Sequence, residues 1–407
     1  MIARGVRSGL EKTLTDPKVS FIVPCYKLAH YLGDCVNSIL SQTYGDFEII
    51  IMDDCSPDNT PEAAAEFKDP RVIYIRNETN LGNIRNYNKG IELAWGRYIW
   101  LISADDCLRS QGVLQRYVDL LEKNPQVGYV FCPAITLRDD KEFEVEEWTA
   151  WPGDNDQIIS GREIVRRSAY ACAVSAPSGL VRRECYARKG LFRTDLPRAS
   201  DYYLWAIFAT IYDVGYFAEP MVYYRRHTSN MEVTMEREQP SFYYEQELLA
   251  RWLIKKEAEK TGFLDLRSDF CRALAGAYTL RLAKKAAEDW QYGYTWDAAI
   301  QEIRANASDE VEAEEIMRLI RAGWSAALAS RHSFVGATYY QMGRLDKAVI
   351  AFRSALTLNP WSIRPRIYLI SSRLEQLFGV RFIPWLSLLR KVALRLSQES
   401  KKSQMSA

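Results

Sequence analysis

The chain has 407 residues, 48% of them hydrophobic, and its 53 Lys and Arg against 52 Asp and Glu leave a net charge of +1. That length allows two or three domains at roughly 100–200 residues each, and the balanced charge gives no global field for nucleic acid. No apolar run reaches the ~20 residues that span a bilayer, and Met1 to Ser20 lacks the apolar core of a secretory signal. The eight cysteines are scattered without a Cys-x-x-Cys pair, the pattern of reduced thiols in a cytosolic protein. Three histidines, His30, His227 and His332, are too few for a zinc site built on several of them.

The first third alternates strand and helix. Ser20–Val23 predicts a strand ending at Pro24, and Leu32, Cys35, Val36, Ile39 and Leu40 repeat at helical spacing. Phe47–Met52 predicts a second strand, ending at Asp53 and Asp54. A short helix is expected over 62–67, opened by Asn59-Thr60-Pro61, with Asp58 and Asn59 as turn or cap residues. Val72–Ile75 reads as a third strand, and a helix runs from Gly82 to about Trp95. Tyr98–Ile102 is a buried strand, followed by a helix carrying Leu114, Tyr117, Val118 and Leu121, and by a strand over 127–132. Such alternation predicts βαβ units and a mostly parallel sheet.

From Pro133 to about Thr234 the pattern loosens into loops and short elements, and from about Ser241 onward it is all helical. Between Ala329 and Pro360, Gly336, Tyr339, Ala348, Phe352, Ala355 and Pro360 are spaced like one tetratricopeptide unit, which neighbouring helices must complete because about three are needed for a solenoid. Over 385–396, Trp385, Leu388, Leu389, Val392 and Leu396 share one helical face beside Arg390, Lys391 and Arg395. This basic amphipathic tail suits either an anionic membrane surface or packing on the helical region. The expected divisions are a flexible segment over 1–17, an α/β domain over 18–235, a helical domain over 236–328, a helical hairpin over 329–372 and the tail over 373–407.

Ser103-Ala104-Asp105-Asp106 follows the Tyr98–Ile102 strand. Two adjacent carboxylates at a strand exit have no packing role, and burying even one is costly unless it is paired or bound to a cation. The carboxyl edge of an α/β sheet is where a metal and a nucleotide diphosphate would be held. No glycine-rich Gly-x-Gly-x-x-Gly follows a strand, which disfavours a dehydrogenase. Pro24-Cys25-Tyr26-Lys27 is not the glycine-rich basic loop of a nucleotidyltransferase.

Four motifs, in order and spacing, resemble a family 2 glycosyltransferase of the GT-A fold. They are Val23-Pro24-Cys25-Tyr26, Met52-Asp53-Asp54-Cys55-Ser56-Pro57-Asp58, Asn80-Leu81-Gly82-Asn83-Ile84-Arg85-Asn86 and Ser103-Ala104-Asp105-Asp106. The resemblance extends through His227, a little over half the chain. It implies a Rossmann-like mixed sheet, which an all-α region outside the resemblance follows here, and transfer of a sugar from a nucleoside diphosphate, UDP in that family's habit, to a hydroxyl of a glycan or lipid-linked saccharide. It assigns Pro24, Tyr26, Asp53, Asp54, Asn80, Gly82, Arg85, Asn86, Ser103 and Ala104 to the nucleotide sugar, with one of Asp53 and Asp54 accepting a ring N–H of the base. It assigns Asp105, Asp106 and His227 to Mn²⁺ or Mg²⁺, and Arg225 and Arg226 to phosphate charge. Ser103 departs from the family by standing where an Asp-x-Asp has its first acid. Asp201, in Ser200-Asp201-Tyr202, matches the catalytic base, while its place before an apolar helix also suits an N-cap. One base and no general acid means inversion at the anomeric carbon, unlike glycoside hydrolysis with its two carboxylates. Ser178-Gly179-Leu180 and the stretch from Trp148 to Trp151 are expected on the acceptor side. The setting implied is surface polysaccharide synthesis by a cytoplasmic protein that approaches the inner face of the membrane and uses its helical region for a protein partner or self-association. The rival reading is a catalytically weak transferase-like domain acting as a helical scaffold.

Overall fold

The computed structural model describes residues 16–138, 141–146, 149–153, 155–227, 230, 240–288 and 295–378. The chain divides into two compact units, Met1–Leu274 and Ala275–Ala407.

The first unit is built on an eight-stranded sheet. Four parallel strands stand in the order β3 (Val72–Arg76), β2 (Phe47–Asp53), β1 (Val19–Cys25) and β4 (Tyr98–Leu101). All seven residues of β1 and all seven of β2 are buried, because parallel strands are covered on both faces. That is why they read as continuous apolar runs. Alternate residues feed two cores: Ile22, Ile50, Met52 and Ile99 on one face, Phe21, Val23, Ile49 and Ile51 on the other. The crossovers are α1 (Ala29–Leu40), α2 (Thr60–Ala65) and α3 (Asn83–Leu93). A Cβ on Gly90 of α3 would stand 2.4 Å from Ile22 Cγ2, so glycine there lets the helix lie tightly on β1.

Beyond β4 the sheet continues with short strands. β10 (Leu180–Arg182) inserts antiparallel between β4 and β6 (Val127–Phe131), and β11 (Asp213–Tyr216) runs parallel to β6 with β9 (Gln157–Ile159) at the edge. A second sheet orders β5 (Cys107–Leu108), β12 (Val222–Arg225), β7 (Ala134–Arg138) and β8 (Lys141–Val145). Pairing of β12 with β5 brings the chain after Arg225 alongside the acidic turn that precedes Cys107. Helices α4 (Val113–Lys123), α5 (Gly161–Ser168), α6 (Arg183–Lys189), α7 (Ser200–Phe208) and α8 (Pro240–Lys260) complete the cover, and α9 (Arg267–Glu288) begins in this unit. The stretch expected to loosen after Pro133 thus holds elements of three to nine residues, several of them central to the sheet.

One cap expectation is corrected. Asn59 occupies the N-cap position of α2 but makes no side-chain cap bond. Asp58 does that work: its Oδ1 accepts from Thr60 N (3.3 Å) and Thr60 Oγ1 (2.6 Å), and its Oδ2 accepts from Ala29 N at the start of α1 (3.2 Å).

The second unit is helical, with α10 (Trp296–Asn306), α11 (Glu310–Gln341), α12 (Leu345–Leu358) and α13 (Ile363–Phe378). Ala337, Tyr340, Ala348 and Phe352 form its hairpin core. A Cβ on Gly336 would fall 2.7 Å from Phe352 Cε1, and Phe352 stacks on Tyr368 at 5.3 Å. The stretch expected as a helical hairpin over 329–372 is helical, but its first helix α11 begins at Glu310 and has 32 residues, too long for one helix of a two-helix 34-residue repeat. The amphipathic tail over 385–396 lies outside the described residues.

Candidate active site

β1, β2 and β4 are parallel, so they end at one edge of the sheet, and strand order reverses between β1 and β4. Such a switch point opens a crevice at the carboxyl ends. Ile102 N donates to Ile22 O (3.0 Å) and Ala104 N to Pro24 O (3.1 Å), carrying the β1–β4 pairing into the acidic turn. Ala104 is buried and contributes through this backbone bond.

Asp53 and Asp54 are both buried. Asp53 Oδ1 accepts from Ser56 N (2.8 Å), and its Oδ2 accepts from Tyr74 Oη (2.6 Å) and Arg76 Nη1 (2.6 Å). Asp54 Oδ1 accepts from Asn77 Nδ2 (2.8 Å) and Leu81 N (2.8 Å), and its Oδ2 from Gly82 N (2.9 Å). Gly82 N also reaches Asn80 Oδ1 (3.0 Å). Asp54 therefore pins the turn that opens α3, where Gly82 takes a φ of +79°. The Leu81 and Gly82 amides face this carboxylate. The chain can double back after the pair because Cys55 is left-handed, φ +59°.

On α3 the two residues singled out by the sequence stand in different surroundings. Arg85 is exposed on the first turn. Asn86 is buried and clamped, its Nδ2 on Met52 O (2.9 Å) and its Oδ1 on Asn77 Nδ2 (2.9 Å). The helix instead presents Asn83, Ile84 and Tyr87 to a cavity. Positions 83, 84 and 87 form one helical face, a signal the sequence contained.

That cavity has a volume of about 640 Å³. Its lining brings together Pro24, Ser103, Asp105, Asp106 and Asp201 of the expected set, with Gly179. Tyr26, Asp53, Asp54, Asn80, Gly82, Arg85, Asn86 and Ala104 are not on its wall. Tyr26 is exposed at the end of β1. Trp148 lies outside the described residues. Trp151 is buried, covered by Arg167 at 4.7 Å and fixed through its backbone N–H to Tyr216 Oη (3.1 Å), so it is core rather than an acceptor platform.

The two acids of the turn are differently placed. Asp105 Oδ2 lies 3.0 Å from His227 Nε2 and 3.4 Å from Asn230 Nδ2. Its other oxygen, Oδ1, is buried without a hydrogen-bond partner. A buried carboxylate oxygen with no donor beside an imidazole nitrogen fits a hard divalent cation, which takes one or two protein ligands and fills its other positions from phosphate and water. Asp105 and His227 are therefore the residues that fit the expected Mn²⁺ or Mg²⁺. Among the described residues no group of three His, Cys, Asp or Glu stands ready as a complete cage. Asp106, expected as a second ligand, accepts the Arg225 N–H through Oδ1 (2.9 Å). Burial, with the Asp105 charge beside it, pushes its carboxyl well above the usual range. Arg225, expected to meet phosphate charge, is engaged by the protein itself. It is buried with Nε on Asp105 O (2.9 Å), Nη2 on Asp34 (3.0 Å) and its guanidinium over Tyr31 at 4.4 Å. Arg226 reaches the cavity wall while its Nε donates to Glu146 (2.9 Å).

Asp201 is the second residue of α7, whose N-cap is Ala199. It is thus inside the first turn and not the cap. Its Oδ1 accepts the adjacent Tyr202 N–H (2.7 Å). Tyr87 faces both acids: burial first, then the charges of Asp105 and Asp201, raise its phenol. The far wall carries Arg198, Glu247 and Arg251, with Glu247 held by Arg198 (3.0 Å) and Arg251 (3.3 Å). No sequence motif singled these out, because α8 follows a stretch without spacing cues.

Residues 20–174 match the family described as glycosyl transferase family 2. The chain is 27% identical over 227 residues to an uncharacterized glycosyltransferase of Haemophilus influenzae, covering 55% of this chain and 70% of that one. It is 37% identical over 111 residues to the glycosyltransferase GlyG of Streptococcus pneumoniae, covering 27% of this chain and 37% of GlyG. Among solved structures, S. aureus TarS 1-349 in complex with UDP superposes with a TM-score of 0.53 at 14% identity, over 85% of this chain and 93% of that one. The α/β unit has the GT-A fold, and an all-helical region follows it.

Proposed function

We propose that the protein is an inverting glycosyltransferase that moves a sugar from a nucleoside diphosphate, UDP in the first instance, to a hydroxyl of a glycan or lipid-linked saccharide in surface polysaccharide synthesis. The observation that carries this reading is one cavity shared by Asp105, with its unpartnered oxygen, and Asp201. The TarS structures, solved with UDP and with UDP-GlcNAc, support the choice of donor nucleotide.

In this reading the diphosphate lies at the switch point, between Pro24, Ser103 and the first turn of α3, whose dipole favours negative charge. Ser103 offers a hydroxyl to the donor sugar or ribose. Asp105 and His227 would hold the cation, which when bound would supply positive charge for the diphosphate. Asp201 takes the proton of the acceptor hydroxyl as its oxygen bonds to the anomeric carbon and the bond to the diphosphate oxygen breaks. Attack opposite the leaving group inverts the centre. Cytoplasmic residence, approach to the membrane by the tail and a partner on the helical unit belong to the same proposal. No helix among the described residues is long and apolar enough to cross a membrane.

The test is calorimetric titration of UDP-sugars with and without Mn²⁺, followed by turnover. Asp201→Asn should lower kcat about 10²–10⁴-fold and leave donor Kd within about twofold. Loss of donor binding in that variant would make Asp201 structural. Asp105→Ala should remove the Mn²⁺-dependent part of donor binding, and identical titrations would dismiss the metal assignment. If no nucleotide sugar binds the wild type, the scaffold reading, favoured by Ser103 in place of an acid, replaces this one.

A further inference from the structure

The stretch 190–200 leads from α6 into α7 and carries Phe192, Pro197, Arg198 and Ala199 on the cavity wall, with Asp201 immediately after. It leaves α6 at Gly190, whose φ of +92° and extended ψ belong almost to glycine alone. Two residues on, Asn88 of α3 meets the backbone of Phe192 with both ends of its amide. Nδ2 donates to Phe192 O at 2.8 Å, and the Phe192 N–H donates to Oδ1 at 2.9 Å. The Tyr87 ring packs edge-on against Phe192 at 5.6 Å beside this pair. The next residue, Arg193, donates its N–H to Ser200 Oγ at 2.6 Å and closes 193–200 into a loop. Its outer side is tied to α8 by Arg198 to Glu247 (3.0 Å) and by Gln246 to Asp195 O (3.3 Å).

Asn88 does not line the cavity, but Asn83, Ile84 and Tyr87 on the same helix do. The amide pair is thus a direct tie between the helix on the donor side and the loop that presents Asp201. We propose that Asn88 is a positioning residue for the acceptor step: it sets Asp201 against the donor, and it acts through the 190–200 loop without touching substrate. The proposal rests on the reading of Asp201 as base. A shift of about 1 Å in such a group is enough to cost about 100-fold in rate. Two hydrogen bonds to the N–H and C=O of one residue, on successive peptide planes, fix both the distance and the rotation of the segment, which a single bond would not.

The test uses the full chain with Asn88→Ala and Asn88→Asp, the latter keeping the acceptor for Phe192 N–H while setting a carboxylate against Phe192 O. Both should lower kcat for transfer about 100-fold with donor Kd within about twofold and Tm down by about 2–4 °C. Amide hydrogen exchange should quicken over 190–199 and not over α3. Unchanged kcat, or donor affinity falling in step with kcat, would overturn the proposal. Asp201→Asn in the same assay separates the two readings. If it retains full transfer, the base assignment fails; if it is inactive while Asn88→Ala is fully active, the Asn88 proposal alone fails. Should no donor support turnover, exchange decides: unchanged protection over 190–199 overturns the tie, and selective loss upholds it.

Discussion

Asp53 and Asp54 sit side by side at the end of β2 and hold different things. Asp53 gathers Ser56, Tyr74 and Arg76 around a carboxylate with no exposure, whereas Asp54 fixes the entry to α3. Replacing Asp53 by Asn should cost about 1–3 kcal/mol, read as a lower urea midpoint at unchanged m-value. Burial, then the bond to Asp53, pushes the Tyr74 phenol up to about 12. The unfolded chain releases that proton near pH 10 and the folded one holds it, so the bond's contribution is complete below about pH 10 and declines as pH rises toward 12. Tyr74→Phe should therefore be less stable than the wild type at pH 7, by about 1 kcal/mol, with a gap that closes through that window. Denaturant curves at pH 7, 10 and 11 check it. At this scale the sequence was informative where a motif coincides with a strand end, as at Asp105. On α3 it drew attention to Arg85 and Asn86 by residue type, while the structure sets Tyr87 on the cavity wall and Asn88 against Phe192. Type is visible in a sequence; the rotation of a helix about its axis is set by Gly90 against Ile22 and by Asn86 under Met52, contacts across different strands.

Among the elements, Asp58 joins the starts of two helices. Burial alone would raise its carboxyl, but the bonds from the Thr60 hydroxyl, the Ala29 N–H and the Thr60 N–H outweigh it, and the group is held below the usual carboxylate range. Its stabilisation is therefore present above the unfolded pKa near 4 and is lost as pH falls through the lower folded value. Asp58→Ala should cost about 1–2 kcal/mol at pH 7, and the difference from wild type in thermal melts should shrink below about pH 4. Gly90→Ala should be harsher than helix propensity suggests. Alanine favours a helix interior, yet its methyl would strike Ile22 and Met52, and overpacking of this kind costs about 1–3 kcal/mol. A rise in Tm would refute the close approach of α3 to β1. The long strands and helices of the first third were legible because their periodicity extends over many residues. β9, β10, β11 and β12, three or four residues each, are shorter than any window in which a period of two can be told from chance.

For the molecule as a whole, every residue assigned here to donor, cation or base precedes Leu274, within the first unit. Gly336→Val, which would press on the buried Phe352 ring, should destabilise the helical unit by about 1–3 kcal/mol and leave the UDP-sugar titration unchanged. Calorimetry and titration on one preparation check both halves, and a weakened titration would mean that the two units act together on the donor. The order of α/β and all-helical regions was legible from the change in hydrophobic period near residue 241. The far wall of the cavity was not, since Glu247 and Arg251 come to it from a helix with no motif of its own.

β10 has a consequence for synthesis. It occupies the middle of the sheet, between β4 and β6, yet leaves the ribosome about 80 residues after β4 ends. At about 5–20 residues per second, the β4 edge over Tyr98–Leu101 waits roughly 4–16 s for the strand that seals it. During that interval a hydrophobic edge with unpaired amides faces its neighbours. A fragment cut at residue 174, where the match to glycosyl transferase family 2 ends, would carry that open edge permanently, and nascent chains crowded on one messenger would meet through it.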